Sequence, residues 1–125
     1  MSESFDVRKD CPIQRKAMGA YVASLLEDLL PPMRVAARGC GYAITVHGSL
    51  CRDIDLVAVP WASNAQKPEV LVDRLLGVIA GTLGRACTIG KWSDRPHGRR
   101  SLTIITPGDA EIDLSIMPLV GKGEE

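Results

Sequence analysis

Two carboxylates two positions apart, Asp53 and Asp55, begin an apolar, β-prone segment and follow a Gly48-Ser49 corner. On a pleated strand, residues two apart point to the same face and lie about 6–7 Å apart along the chain. Burying two such negative charges without a cation is costly. Divalent metal ions with a bound phosphate would offset that cost. The spacing alone is more often that of a solvated strand edge, but the Gly-Ser corner, the flanking apolar strands and the later Asp113 segment together favour a metal site.

A third carboxylate lies in the segment 111–115, where polar and apolar residues alternate. Asp113 stands between two apolar residues, so its side chain faces the opposite way from theirs and the same way as that of Glu111. If this strand pairs beside the one that begins at Asp53, three carboxylates converge. We favour Asp113 as the third ligand and regard Glu111 as peripheral.

Three carboxylates suit two Mg²⁺ or Mn²⁺ ions, because these hard cations prefer oxygen ligands and usually share substrate phosphates. Two ions about 3.5–4 Å apart can stabilise both the attacking and the leaving oxygen of an in-line displacement. Gly48 allows the backbone to come close to a phosphate, and the Ser49 hydroxyl can donate to its oxygens. The corner and the carboxylates together indicate phosphate-transfer chemistry.

A basic, turn-rich loop lies farther along the chain. Its cationic and titratable residues are Lys91, Arg95, His97, Arg99 and Arg100. One interpretation is a solvated hairpin loop. The other is a local patch in which residues such as Arg99 and Arg100 meet the phosphates of a nucleotide or of a nucleic-acid acceptor. Trp61 and Trp92 could stack a base, although core or rim packing is the commoner role of such residues.

Composition limits the class of protein. The chain has 125 residues, 46% of them hydrophobic, with 15 basic and 15 acidic side chains. This length suits one domain. Zero net charge argues against a protein that coats polyanions. No run reaches the 18 apolar residues of a membrane span, and the N-terminus lacks a signal pattern. The four scattered cysteines predict neither a zinc site nor disulfides, so we expect a cytoplasmic protein without membrane contact.

Hydrophobic spacing predicts the elements that position these residues. A first helix ends at Pro31 and Pro32, with a further turn or two possible over 33–38. A second helix begins at Pro68 and Glu69. Strands are predicted over 42–46, 53–59, 86–92, 101–106 and 111–117. The predicted fold class is α+β, with two layers: a mixed sheet of about five strands and helices packed on one side. We expect one domain over 13–120, an extension over 1–12 and a disordered tail over 121–125.

The Gly-Ser corner, the Asp-x-Asp at the head of a strand and the later apolar-Asp-apolar strand together resemble the nucleotidyltransferase superfamily. That superfamily includes DNA polymerase beta, the tRNA CCA-adding enzymes and the aminoglycoside nucleotidyltransferases. The resemblance covers about residues 42–117 and implies a nucleotidyltransferase-like sheet. The Gly-Ser-x-x-Arg-Asp-x-Asp run before a Pro-Trp also resembles small proteins encoded by phages and prophages.

The resemblance assigns a role to each matching residue. It implies that Gly48 and Ser49 hold the triphosphate of an NTP and that Asp53 and Asp55 bind both metal ions. It further implies that Asp113 completes the metal site and helps to activate the acceptor hydroxyl. The implied reaction is Mg²⁺-dependent transfer of a nucleoside monophosphate from an NTP, ATP among the candidates, to a hydroxyl, with release of pyrophosphate.

The sequence leaves several alternatives open. Only Leu50, Cys51 and Arg52 separate the Gly-Ser corner from the Asp-x-Asp, fewer residues than in most members of the superfamily. Arg52 either meets a phosphate or neutralises Asp53. The competing functions are a binding or regulatory module that has lost catalysis and a component of a toxin–antitoxin or defence system. The base of the NTP, the acceptor (nucleic acid or protein) and dimerisation to complete the cleft are also open.

Overall fold

A computed structural model describes residues 12–47, 53–108 and 110–119. Its two helices are α1 (Pro12–Gly39) and α2 (Pro68–Leu83). Its strands are β1 (Tyr42–His47), β2 (Asp53–Pro60), β3 (Thr88–Ile89), β4 (Ser93–Asp94), β5 (Arg100–Ile105) and β6 (Glu111–Ile116), with a short 3₁₀ turn at Pro96–Gly98. The predicted extension and tail fall almost entirely outside the described residues, so the domain limits stay predictions.

The strands form one six-stranded mixed sheet in the order β1-β2-β6-β5-β3, with β4 also paired to β5. Strands β2 and β6 are parallel, and the other pairs are antiparallel. Both helices pack on one side of this sheet, which confirms the predicted α+β fold. In the described part of the chain, no helix has the length and apolar character that a membrane crossing requires.

The prediction of one strand over 86–92 is wrong. The chain pairs with β5 only at Thr88 and Ile89, and the Gly90 N–H donates to the Thr103 carbonyl at 2.8 Å. It then leaves the ladder and pairs again as the two-residue strand β4. A period-2 pattern does not reveal where a strand is interrupted, because the interruption depends on the partner strand.

Helix α1 runs through both prolines, so the prediction that it ends there is also wrong. A proline in a helix interior costs about 3 kcal/mol or more, because a hydrogen bond is lost and the ring clashes with the preceding turn. The apolar stripe continues on both sides of the prolines, and the side chains of Leu29, Met33 and Ala37 are fully buried. Full burial of a large apolar side chain contributes about 1.5–3 kcal/mol, so packing on the sheet offsets the cost.

The connection from α1 to β1 depends on Gly41, which has a φ of 88°. A Cβ at this position would lie 2.8 Å from the Cα of Ala65. The Gly41 carbonyl accepts a hydrogen bond from the Trp61 N–H at 3.0 Å, and the Tyr42 hydroxyl donates to the Gln66 carbonyl at 2.7 Å. The segment after β2 is thereby fixed against the start of β1.

Candidate functional site

Strand register sets two of the predicted acids side by side. On the parallel strands β2 and β6, Asp55 lies opposite Asp113, and Asp53 lies opposite Glu111. Neighbouring strands are about 4.8 Å apart, so directly opposed residues present their side chains to the same face. The intervening residues of both strands are buried beneath the helices. The carboxylates therefore lie on the face of the sheet that the helices leave open.

The electrostatics of Asp55 reflect this crowding. Partial burial raises the pKa of its carboxyl group, and the negative charge of Asp113 and a hydrogen bond with it raise the pKa further. The charge of Asp53 adds to this effect, while His47, opposite on β1, acts in the other direction. Ionisation of both close carboxylates is opposed by their electrostatic repulsion, so the pair favours a shared proton or a bound cation.

Strand β5 orients the second acid of the pair. Thr103 lies opposite Asp113 in the antiparallel β5–β6 ladder, and its Oγ1 donates to Asp113 Oδ1 at 3.0 Å. This bond holds one carboxylate oxygen from the β5 side, while Asp55 contacts the same carboxylate from the β2 side. Thr103 could not be identified from the sequence, because its role depends on a strand pairing.

A cleft of about 330 Å³ lies on the β5 side of the pair. Its lining includes three cationic side chains, one carboxylate and four hydroxyl groups. These residues are Lys91, Arg95, Arg99, Asp113, Ser93, Ser101, Thr103 and Ser115. Arg95 Nε donates to the Ser101 hydroxyl at 3.0 Å, which holds the guanidinium over the lining. The basic surface and Asp113, one member of the acidic pair, thus line the same cleft.

Arg100, predicted to contact a nucleotide, lies elsewhere. It pairs with Ile116 on β6, whose side chain is on the helix-covered face. Its guanidinium donates to Glu69 Oε2 at 2.7 Å and lies 4.2 Å above the centre of the Trp92 ring. The structure therefore does not bring Arg100 together with the carboxylates, whereas Arg99 does line the cleft.

The other predicted residues divide in two groups. Gly48, Ser49 and Arg52 lie outside the described residues. Asp53 begins β2 on the same face as Asp55, and its charge contributes to the raised pKa of that residue. Among the residues that the structure describes, no three His, Cys, Asp or Glu side chains are grouped so as to hold a metal ion. The side-chain hydrogen bond between two acids of the site joins Asp55 and Asp113.

Carboxylate pairs of this kind fit Mg²⁺ or Mn²⁺. Magnesium in proteins is commonly held by one or two carboxylates, with waters and substrate phosphates as its remaining ligands. Asp55 and Asp113 supply hard oxygen donors, and their mutual repulsion is relieved by a positive charge. The donor set therefore suits an ion that arrives with a phosphorylated substrate.

No protein-family model matches the chain, and no curated protein matches it. Among solved structures, one described as a cytoplasmic RNA terminal U-transferase is similar, with a TM-score of 0.42 and 11% identity. The alignment covers 81% of this chain and 35% of that one, so the chain spans about a third of the length of that protein. At this level of similarity, the functional interpretation rests on the residues of the cleft.

Proposed function

We propose that this protein is a nucleotidyltransferase that uses Mg²⁺ or Mn²⁺ to transfer a nucleoside monophosphate from an NTP to a hydroxyl group. The acceptor oxygen forms a bond to the α-phosphorus, the bond from that phosphorus to the bridging oxygen breaks, and pyrophosphate leaves. The hydroxyl proton passes to a carboxylate of the site or to water.

The observation that supports this function is the register of β2 and β6, which sets Asp55 against Asp113 on the open face. Two bound ions would supply charge neutralisation at the phosphates and activation of the acceptor hydroxyl. Asp55 and Asp113 would hold them, with Asp53 as the third ligand from the same face of β2. Since the described residues contain no group of three, substrate phosphates are expected to complete the site.

The chain's own residues would orient the reactants. The Thr103 hydroxyl holds Asp113 through one oxygen, which leaves the second oxygen to bind or to accept a proton. On the far side, His47 faces Asp55 from β1 and partly offsets the negative charge there. The predicted phosphate corner, Gly48 and Ser49, follows His47 in the sequence between β1 and β2.

Incubation with α-labelled NTPs tests this proposal. We expect transfer of label to an acceptor, and pyrophosphate release, only when Mg²⁺ or Mn²⁺ is present. Asp55→Asn and Asp113→Asn should abolish both signals. Asp73→Asn is the matched control, because Asp73 is an exposed carboxylate on α2, away from the cleft. Absence of any transfer with all four NTPs and with RNA, protein and small alcohols as acceptors would refute catalysis.

The short connection of three residues between Ser49 and Asp53 also supports a second candidate, a module that binds nucleotides without turnover. Calorimetry separates the two functions. An NTP that binds only with metal, and is released unchanged, would identify the module. Binding followed by pyrophosphate release would identify the enzyme.

A further inference from the structure

The cleft beside the carboxylate pair has a second chemical character, given by Lys91, Arg95 and Arg99, which we term the cationic wall. We propose that the cationic wall binds the backbone phosphates of a single-stranded nucleic acid and so makes that strand the acceptor. This inference rests on the proposed function, because it names the substrate that receives the nucleotide.

The charge of the cationic wall is not neutralised within the described residues. The ion pairs found there are those of Arg100 with Glu69 and Asp94, and neither involves a wall residue. The acidic residue among those that line the cleft is Asp113, which accepts a hydrogen bond from Thr103. On a chain with zero net charge, three cations concentrated on one cleft are a local electrostatic site for a polyanion.

The backbone holds this wall in a fixed arrangement. The Arg95 N–H donates to the Arg99 carbonyl at 2.8 Å, which closes the turn between them. Within the turn, His97 has a φ of 66°, an uncommon conformation for a residue other than glycine, and Gly98 has a φ of 78°. A Cβ on Gly98 would lie 3.3 Å from Pro118. The strained turn thus places both guanidinium groups on the same side of β5.

The position of the cationic wall relative to the acids favours the acceptor strand, rather than the NTP, as its ligand. The cleft is lined by Asp113 but not by Asp53 or Asp55, so the wall flanks only the β6 side of the pair. A strand bound along the wall would place its terminal hydroxyl beside Asp113. Strands β1 and β2 lie on the other side of β6 from β5, and the Gly48-Ser49 corner, predicted to hold the triphosphate, falls between them in the sequence.

The lining also indicates how the strand is recognised. Four hydroxyl groups and three cations suit phosphate and sugar oxygens. No aromatic side chain lines the described part of the cleft, and the Trp92 ring is covered by Arg100. The described residues of this surface therefore offer no ring for base stacking, and we expect binding that depends on salt but little on sequence.

Fluorescence anisotropy with a labelled single-stranded oligonucleotide tests the wall. Three phosphate contacts predict a slope of about −2 for log K against log salt, so affinity should fall about 20-fold between 50 and 200 mM. Lys91→Gln and Arg99→Gln should weaken binding and reduce the slope to about −1.4. Arg74→Gln, an exposed cation on α2, is the matched control and should leave both unchanged. Circular dichroism verifies that each variant is folded.

Measurement of metal-dependent NTP binding by the same variants shows whether the cationic wall binds the phosphates of the oligonucleotide or those of the NTP. The inference holds if Lys91→Gln and Arg99→Gln weaken oligonucleotide binding and leave NTP affinity as in the wild type. It is overturned if oligonucleotide affinity is the same in the variants and the wild type, or if NTP affinity falls with it. Failure of the proposed function is distinct, since it appears as an absence of nucleotide transfer in the wild type. Transfer that proceeds equally in the wall variants would overturn the acceptor assignment alone.

Discussion

The two faces of the sheet are built from the same strands but have different roles: one packs against the helices, and the other carries the carboxylates. On β6, Ile112, Leu114 and Ile116 are buried under the helices, whereas Asp113 and Ser115 between them face the open side. Because strand side chains alternate, stability and chemistry are separated by a single position along the chain. Substitutions at adjacent residues should therefore have consequences of different kinds.

The strongest effect is expected from Asp113→Asn. Loss of a carboxylate from the pair should lower nucleotide transfer by about 10³-fold or more, about 4 kcal/mol in activation free energy. Stability should change by less than about 1 kcal/mol, because the residue is half-buried and asparagine can still accept from Thr103. Steady-state assays and urea unfolding of the same sample measure both quantities. An unfolded variant would show that the open face also carries stability.

Leu114→Ala, one residue farther along β6, should have the reverse effect: a large loss of stability with NTP binding retained. Leu114 is 1% exposed, and truncation of a buried leucine costs about 2–5 kcal/mol. Urea unfolding should show this loss in the unfolding free energy, and the residual folded protein should keep its metal-dependent NTP affinity. A variant with normal stability but no NTP binding would contradict the division between the faces.

Thr103→Val sharpens the comparison further. This substitution removes the hydroxyl that orients Asp113 and preserves side-chain volume. Outer-shell partners of metal ligands are typically worth 10–100-fold in metal affinity, so Mn²⁺ affinity should fall by about that factor. Thr103→Ser, which retains the donor, should restore it. Equal affinity in the threonine and valine proteins would show that the bond does not position the ligand.

The smallest effect is expected from Asp55→Asn on the free energy of unfolding of the metal-free protein. Since the pKa of Asp55 is raised in the folded state, its native carboxyl binds a proton more tightly than the unfolded one. The stability that the protonated Asp55 carboxyl contributes is complete below the pKa of the unfolded state, near pH 4. It is lost as the pH rises through the higher pKa of the folded state. Near pH 7 the variant should therefore be the more stable protein, by less than about 1 kcal/mol after solvent screening.

Urea unfolding at pH 4 and pH 7 measures this difference. The gain from Asp55→Asn should disappear at the lower pH, where both proteins are neutral at this position. Mg²⁺ should raise the unfolding free energy of the wild type near pH 7 and leave that of the variant unchanged. A variant less stable than the wild type at both pH values would disprove the repulsion between the acids.

The alternation on β2 and β6 predicted which face each of Asp55 and Asp113 takes on its own strand, because period-2 patterns report which residues share a face. It did not predict that the two strands are neighbours, which the parallel pairing of β2 with β6 shows. The continuity of α1 through Pro31 could not be predicted, since it depends on packing beyond the proline. The placement of Arg100 required the register of β5 and the position of Glu69 at the start of α2. Tertiary pairing, rather than local pattern, decides such cases.

Calorimetric titration of an NTP into the protein with and without Mn²⁺ is the decisive measurement. The wild type and Asp73→Asn should bind the NTP only when Mn²⁺ is present, and Asp113→Asn should show no metal-dependent binding. Equal NTP binding by all three proteins, or binding that ignores Mn²⁺, would contradict a metal site formed by Asp55 and Asp113.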